Sequence, residues 1–163
     1  MIILALAAST SAFSQKKDIV DIAIGSADHS TLVAAVKAAD LVATLKSAGP
    51  FTVFAPTNDA FNKLPSGTVE SLLKPENKAQ LAKILTYHVV SGSLDAATVV
   101  EAINKGNGKV ELTMVSGGKL TASMDNGKVK LTDESGNAAY VTTTDLMGSN
   151  GVIHVIDSVV LPK

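Results

Sequence analysis

Cysteine, arginine and tryptophan are all absent from this 163-residue chain, and each absence removes a class of function. Without cysteine there are no disulfides, thiolate metal sites or sulfur nucleophiles. All 14 basic residues are lysine, so the bidentate guanidinium clamp for carboxylate or phosphate is missing. Four Phe and two Tyr are too few for a platform on which the bases of a single strand could stack. The 14 basic and 15 acidic residues leave a net charge of −1, too small to steer the chain toward a polyanion. Nucleic-acid binding is not expected. No apolar run reaches the roughly 20 residues that span a bilayer as a helix, so no integral membrane segment is expected in the mature chain.

What is present fits one globular domain: a hydrophobic fraction of 46% on a chain long enough to bury a substantial core. Met1 to Ala8 is apolar and is followed by small and polar residues up to Ala12-Phe13-Ser14. Small residues at Ala12 and Ser14 suit a signal-peptidase site. Residues 1–14 are therefore expected to be a signal peptide and residues 15–163 a single exported domain, secreted or periplasmic.

The first half reads helical. Ser30 is placed to cap a helix over "TLVAAVKAADLVATLKSAG", with Leu32, Val33 and Val36 on one face and Leu41, Val42 and Leu45 continuing it. Gly49-Pro50 ends that helix. "FTVF", Phe51 to Phe54, is a short strand stopped by Ala55-Pro56. Thr57 can cap the next helix, with Asp59 in the first turn where a negative charge suits the helix dipole. A further helix starts at Pro75 and runs to about Tyr87. Leu81, Ile84, Leu85 and His88 share its apolar stripe, so His88 points at the core.

Beyond a helix over about Asp95 to Asn104 the chain changes character. Ser116-Gly117-Gly118, Asn126-Gly127 and Ser135-Gly136-Asn137 separate runs of Val, Thr and Leu. These are hairpin signals, and they predict an antiparallel meander without parallel crossovers. Leu120, Ala122 and Met124 alternate with polar neighbours and should face inward. The last strand is apolar on both faces, with Val152, His154 and Ile156 on one and Ile153 and Val155 on the other, as a central strand requires. The fold class is α+β, helices packed on a twisted antiparallel sheet or wedge-shaped sandwich.

Patterns that carry chemistry are missing. There is no G-x-S-x-G elbow, no H-E-x-x-H and no phosphate loop. The Asx and Gly residues of "DNGKVKLTDESG" lack calcium-loop spacing and suit turns instead. The spacing of His29, His88 and His154 matches no metal-ligand pattern. A buried imidazole left without partners would cost on the order of 1–3 kcal/mol, so each ring should find a backbone or side-chain partner.

Three ordered blocks, "FTVFAPTNDAF" (Phe51 to Phe61), "LTYHVVSG" (Leu85 to Gly92) and "NGVIHVIDSVVLP" (Asn150 to Pro162), resemble the fasciclin domain family. The likeness extends over roughly Asp18 to Leu161. It implies a wedge-shaped antiparallel β-sandwich with an N-terminal helical layer, on an exported or cell-surface protein that acts in adhesion without catalysis or cofactor. It further implies that Thr57, Asp59, Tyr87, His88, Asn150, Gly151 and His154 are structural. Tyr87 and His88 would anchor a helix end to the sheet. Asn150-Gly151 would turn into the last strand, Gly151 with a positive φ. Asp145 resembles the acidic position of a loop that animal members offer to integrins, with Leu146 where isoleucine is usual. Asp145, Leu146 and Met147 are thus the candidate contact residues.

The expected function is an exported, non-catalytic adhesion module that binds a cell-surface or matrix protein or polysaccharide through its loops. The alternative is an extracytoplasmic small-ligand-binding protein with an apolar crevice between helices and sheet. A third reading, an enzyme built on histidines, requires His88 and His154 to converge with a carboxylate.

Overall fold

The computed structural model describes residues 17–47 and 49–162; the expected signal segment lies outside the described residues. Helix α1 (Ile19–Ile24) opens on a reciprocal cap. The Asp18 carboxylate accepts the Asp21 N–H at 2.8 Å, and the Asp21 carboxylate accepts the Asp18 N–H at 3.4 Å. This arrangement satisfies two of the backbone donors that a helix start leaves open.

The expected long helix is two helices, α2 (Ser30–Ala38) and α3 (Val42–Lys46). Asp40 takes a left-handed conformation, φ 55°. The Leu41 N–H then returns to the Val36 carbonyl and the Asp40 N–H to the Lys37 carbonyl, each at 3.1 Å. This pair of bonds is a Schellman stop. Ser30 does not cap α2 either, because a 3₁₀ turn over Ala27–His29 precedes it. The side chain of Asn58 does that work from elsewhere in the fold. Its Oδ1 accepts the Thr31 N–H at 3.0 Å, and its Nδ2 donates to the Ala27 carbonyl at 2.9 Å.

Strand β1 (Phe51–Pro56) leads into α4 (Asn58–Asn62), where the Thr57 hydroxyl accepts the Ala60 N–H at 3.2 Å. Helices α5 (Thr68–Leu72) and α6 (Lys78–Thr86) follow. Strand β2 (Val89–Ser91) and α7 (Ala96–Lys105), capped by Asp95, complete the first half. The second half is β3 (Lys109–Thr113), β4 (Lys119–Asp125), β5 (Lys128–Thr132), β6 (Ala138–Gly148) and β7 (Gly151–Ile156).

The strands form one sheet in the order β2-β1-β7-β6-β5-β4-β3. From β3 to β7 all neighbours are antiparallel. The departure from the expected all-antiparallel sheet is β1, which runs parallel to β7 from Phe51 opposite Gly151 to Pro56 opposite Ile156. A bridge between Val90 and Met114 joins the two sheet edges, and the Val115 N–H donates to the Val89 carbonyl at 2.8 Å. The sheet thereby wraps around an interior of its own.

Two apolar clusters result. One lies under the helices and includes Leu32, Val36, Leu85, Val53 and Ile153. The other fills the wrapped sheet with Phe54, Tyr87, Ile103, Leu120 and Leu131. All six residues of β7 are buried, as a strand covered on both faces demands. Met124, expected to face inward, is 38% exposed beside the β4–β5 turn. The inward alternation of β4 therefore ends at Ala122.

Candidate functional site

Tyr87 and His88 follow the last turn of α6, and together they tie three distant segments to that helix end. The Tyr87 hydroxyl donates to the Lys119 carbonyl at 2.5 Å and accepts the Glu134 N–H at 3.2 Å. Burial pushes its pKa up to about 12. Its ring lies against Gly118, where an added Cβ would come within 2.7 Å of Cε2. Tyr87→Phe keeps the ring and deletes the hydroxyl, so the Lys119 carbonyl and the Glu134 N–H both lose a partner. A loss of about 2 kcal/mol is expected, read as a lower denaturant midpoint at unchanged slope; a midpoint equal to wild type would mean that water replaces the hydroxyl without cost.

His88 is enclosed and bonded at both ring nitrogens. Nδ1 lies 2.8 Å from the Ile84 carbonyl, and Nε2 lies 3.2 Å from the Val160 N–H. A carbonyl can only accept and a backbone N–H can only donate, so the ring is the neutral Nδ1–H tautomer. Burial pushes its pKa down to about 4. The next residue of the tail, Leu161, donates its N–H to Asp133 Oδ2 at 2.9 Å. Asp133 is itself buried and also accepts the N–H groups of Ser135 and Asn137. Its acceptor role in a tight turn was within reach of the sequence, but its hold on the chain's end was not.

His154 sits on β7, opposite Phe54 of the parallel strand, and the two rings stack with centroids 5.7 Å apart. Its Nε2 donates to the Leu94 carbonyl at 2.6 Å. The same loop is held by the buried Thr52 hydroxyl, which accepts the Leu94 N–H at 2.8 Å and donates to the Gly92 carbonyl at 2.7 Å. His29 is also buried, with Nδ1 2.8 Å from the Ser26 hydroxyl. Burial lowers its pKa more than the nearby Ala55 carbonyl raises it. The rings of His88 and His154 have separate surroundings: His88 borders a cavity under the helices, whereas His154 borders a small hollow beside Phe54 and Val99. Among the described residues, no group of three or more His, Cys, Asp or Glu side chains is placed to hold a metal ion.

Asp145, Leu146 and Met147 were expected in a loop. They belong instead to the end of β6, where Leu146 pairs with Ile153 and Met147 with Val152. The register shifts between Thr143 and Leu146, so Asp145 lies at an irregularity of the strand. Leu146 packs partly buried on the helical cluster, while Met147 is 63% exposed. Ser149 and Asn150 alone make the turn. Gly151 lies in β7 without the expected positive φ; its requirement is the close approach of Phe51, whose carbonyl carbon would be 2.9 Å from an added Cβ. Asn150 pins the turn to the helices. Its Oδ1 accepts the Ile19 N–H at 3.1 Å, and its Nδ2 donates to the carbonyls of Leu45 at 2.6 Å and Ser47 at 3.1 Å. Beside the turn is an open hollow of about 370 Å³ lined by Pro50, Ser93, Met147 and Ser149. Thr57 is a helix cap, and Asp59 is an exposed first-turn acid.

A second concavity, of about 60 Å³, lies between α1–α3 and the sheet. Leu32, Val36, Val53, Leu85 and Ile153 form its buried walls. Lys37, Thr44 and Val115 line it too and are exposed, so they mark its mouth. Among the described residues no helix is long and apolar enough to cross a membrane.

A family model, the fasciclin domain, matches residues 27–162. The chain is 54% identical over 154 residues to protein sll1483 of Synechocystis, an alignment covering 94% of this chain and 78% of that protein. It is 38% identical over 149 residues to the transforming growth factor-beta-induced protein ig-h3 of Sus scrofa, covering 88% of this chain but 19% of the larger protein. Among solved structures, the FAS1 domain pair of the insect cell adhesion molecule fasciclin I superimposes with a TM-score of 0.62 at 19% identity, over 77% of this chain and 42% of that one.

Proposed function

Because this chain belongs to the fasciclin domain family, we propose that it is a non-catalytic adhesion module. It is exported, and it engages a cell-surface or matrix protein or polysaccharide through the β6–β7 hairpin end. Membership of the fasciclin domain family supports the class of function. The residue-level reading rests on one observation: Met147 stands 63% exposed at the rim of a hollow whose base is pinned by Asn150. An exposed apolar side chain on a rigid support is a suitable anchor for a partner surface, since contact has to order only the side chain and not the backbone beneath it. Asp145, two residues away, supplies an acidic position at the bulge. The histidines fit a scaffold role, because the ring nitrogens of His88 are both committed to backbone groups and His154 holds the Leu94 loop.

Beads coated with the domain should be retained on surfaces coated with cell-envelope fractions. Met147→Glu should weaken retention about thirtyfold, the equivalent of an anchor worth about 2 kcal/mol, while leaving the unfolding midpoint unchanged. Asp145→Ala should weaken it less. Retention that is indifferent to both substitutions would remove the hairpin end from the contact surface, and no retention by wild type would remove adhesion.

A further inference from the structure

The cavity beneath the helical layer shares no lining residue with the hollow at the hairpin end, and its chemistry points elsewhere. Its walls are aliphatic apart from the Phe51 ring and Thr86, whose hydroxyl is bonded to the Ala82 carbonyl, and the one imidazole bordering it, His88, has both ring nitrogens bonded to the backbone. A buried water needs two to four polar partners, which such walls do not offer. A water site occupies about 10–15 Å³ on the same measure, so about 60 Å³ has room for roughly five groups of methylene size. Volume and lining together select an unbranched aliphatic segment.

The mouth selects what that segment is attached to. Lys37 of α2 lines the opening and is exposed, and among the described residues it forms no ion pair. Thr44 of α3 adds a hydroxyl at the same rim. None of the residues lining the cavity is acidic. We propose that this cavity binds a single-chain carboxylic amphiphile, its tail among Leu32, Val36, Val53 and Ile153 and its carboxylate beside Lys37. The site is separate from the hairpin end, so the two readings stand or fall independently.

The test is calorimetric titration with butanoate, hexanoate, octanoate and decanoate. Each added methylene should tighten Kd about fourfold until the cavity is filled, and the gain should then level off. Lys37→Gln should weaken octanoate about threefold, the scale of an exposed ion pair, and leave 1-octanol unchanged. Ala23→Phe, which directs a ring into the cavity from α1, should abolish saturable binding of both. Nuclear Overhauser contacts from octanoate methylenes to the methyl groups of Leu32, Val36 and Ile153 would locate the tail in wild type, whatever the stability of the variants. Absence of saturable binding, absence of those contacts, tightening that continues to decanoate without levelling, or wild-type affinity in a folded Ala23→Phe would each overturn the proposal. If Lys37→Gln does not separate octanoate from 1-octanol, the carboxylate assignment falls.

Discussion

Gly151→Ala should destabilise the fold by about 4 kcal/mol or more, in the range reserved for severe steric conflict. An added Cβ would sit 2.9 Å from the Phe51 carbonyl carbon and 3.0 Å from its nitrogen, closer still to its carbonyl oxygen. All three are backbone atoms, so no side chain can swing aside. Relief requires β1 and β7 to separate where their parallel ladder starts, at Phe51 opposite Gly151. Gly67→Ala is the informative contrast. Gly67 has φ 83° with nothing within 4 Å of an added Cβ, so only the left-handed backbone penalty of about 1–2 kcal/mol applies. Thermal unfolding separates the two: a fall of about 10 °C or more is expected for Gly151→Ala and a few degrees for Gly67→Ala. Equal falls would show that crowding at Phe51 is not what requires glycine.

The second large effect concerns His88 and pH. Its folded-state pKa of about 4 lies below the value of about 6.5 expected in the unfolded chain. Between those values the unfolded state binds more protons than the folded one, so stability falls as pH falls from 6.5 toward 4. The slope approaches 1.36 kcal/mol per pH unit and the total is about 3 kcal/mol. The physical cause is burial, joined by a ring nitrogen that must stay unprotonated to accept the Val160 N–H. His29, also lowered by burial, acts in the same direction. The Asp21 and Asp95 carboxyls belong to a separate, more acidic window. A hydrogen bond from Lys46 lowers Asp21 and bonds from Thr98 lower Asp95, so what they contribute is lost only below the ordinary carboxylate range. His88→Phe should be less stable than wild type at pH 7.5 by roughly 2–4 kcal/mol, since the Val160 N–H is left buried without a partner and the Ile84 carbonyl keeps only the Tyr87 N–H. Its stability should then decline less steeply with acidification, so that the two proteins converge near pH 4. Parallel pH profiles in urea titrations would refute the assignment of that slope to His88.

Both effects fall on residues that do no outward business. Gly151 permits a strand to lie against β1, and His88 ties the end of α6 to the tail, where the Val160 N–H would otherwise be buried unpaired. The surface at Met147 and the mouth at Lys37 stand on this frame. Substitutions there can change binding while leaving stability nearly untouched, which is what makes the two binding proposals separable from folding.

What the sequence determined by itself is whatever neighbours in the chain can settle. Thr57 and Asp95 cap helices because their oxygens reach N–H groups three residues on. Asn126-Gly127 closes a hairpin because both residues accept positive φ. His88 faces inward because it continues the stripe of Leu81, Ile84 and Leu85, and β7 is central because both of its faces are apolar. The tertiary structure alone decided what depends on partners far along the chain. The stop at Asp40 carries no glycine to announce it. The start of α2 is satisfied by Asn58, 27 residues beyond Thr31. The parallel pairing of β1 with β7 joins segments about a hundred residues apart, and Gly151 is required by a backbone approach that exists only once they meet. Local spacing encodes bonds within a turn or two of chain; a contact between distant segments leaves no periodic trace, because its geometry is fixed by packing after the elements have formed.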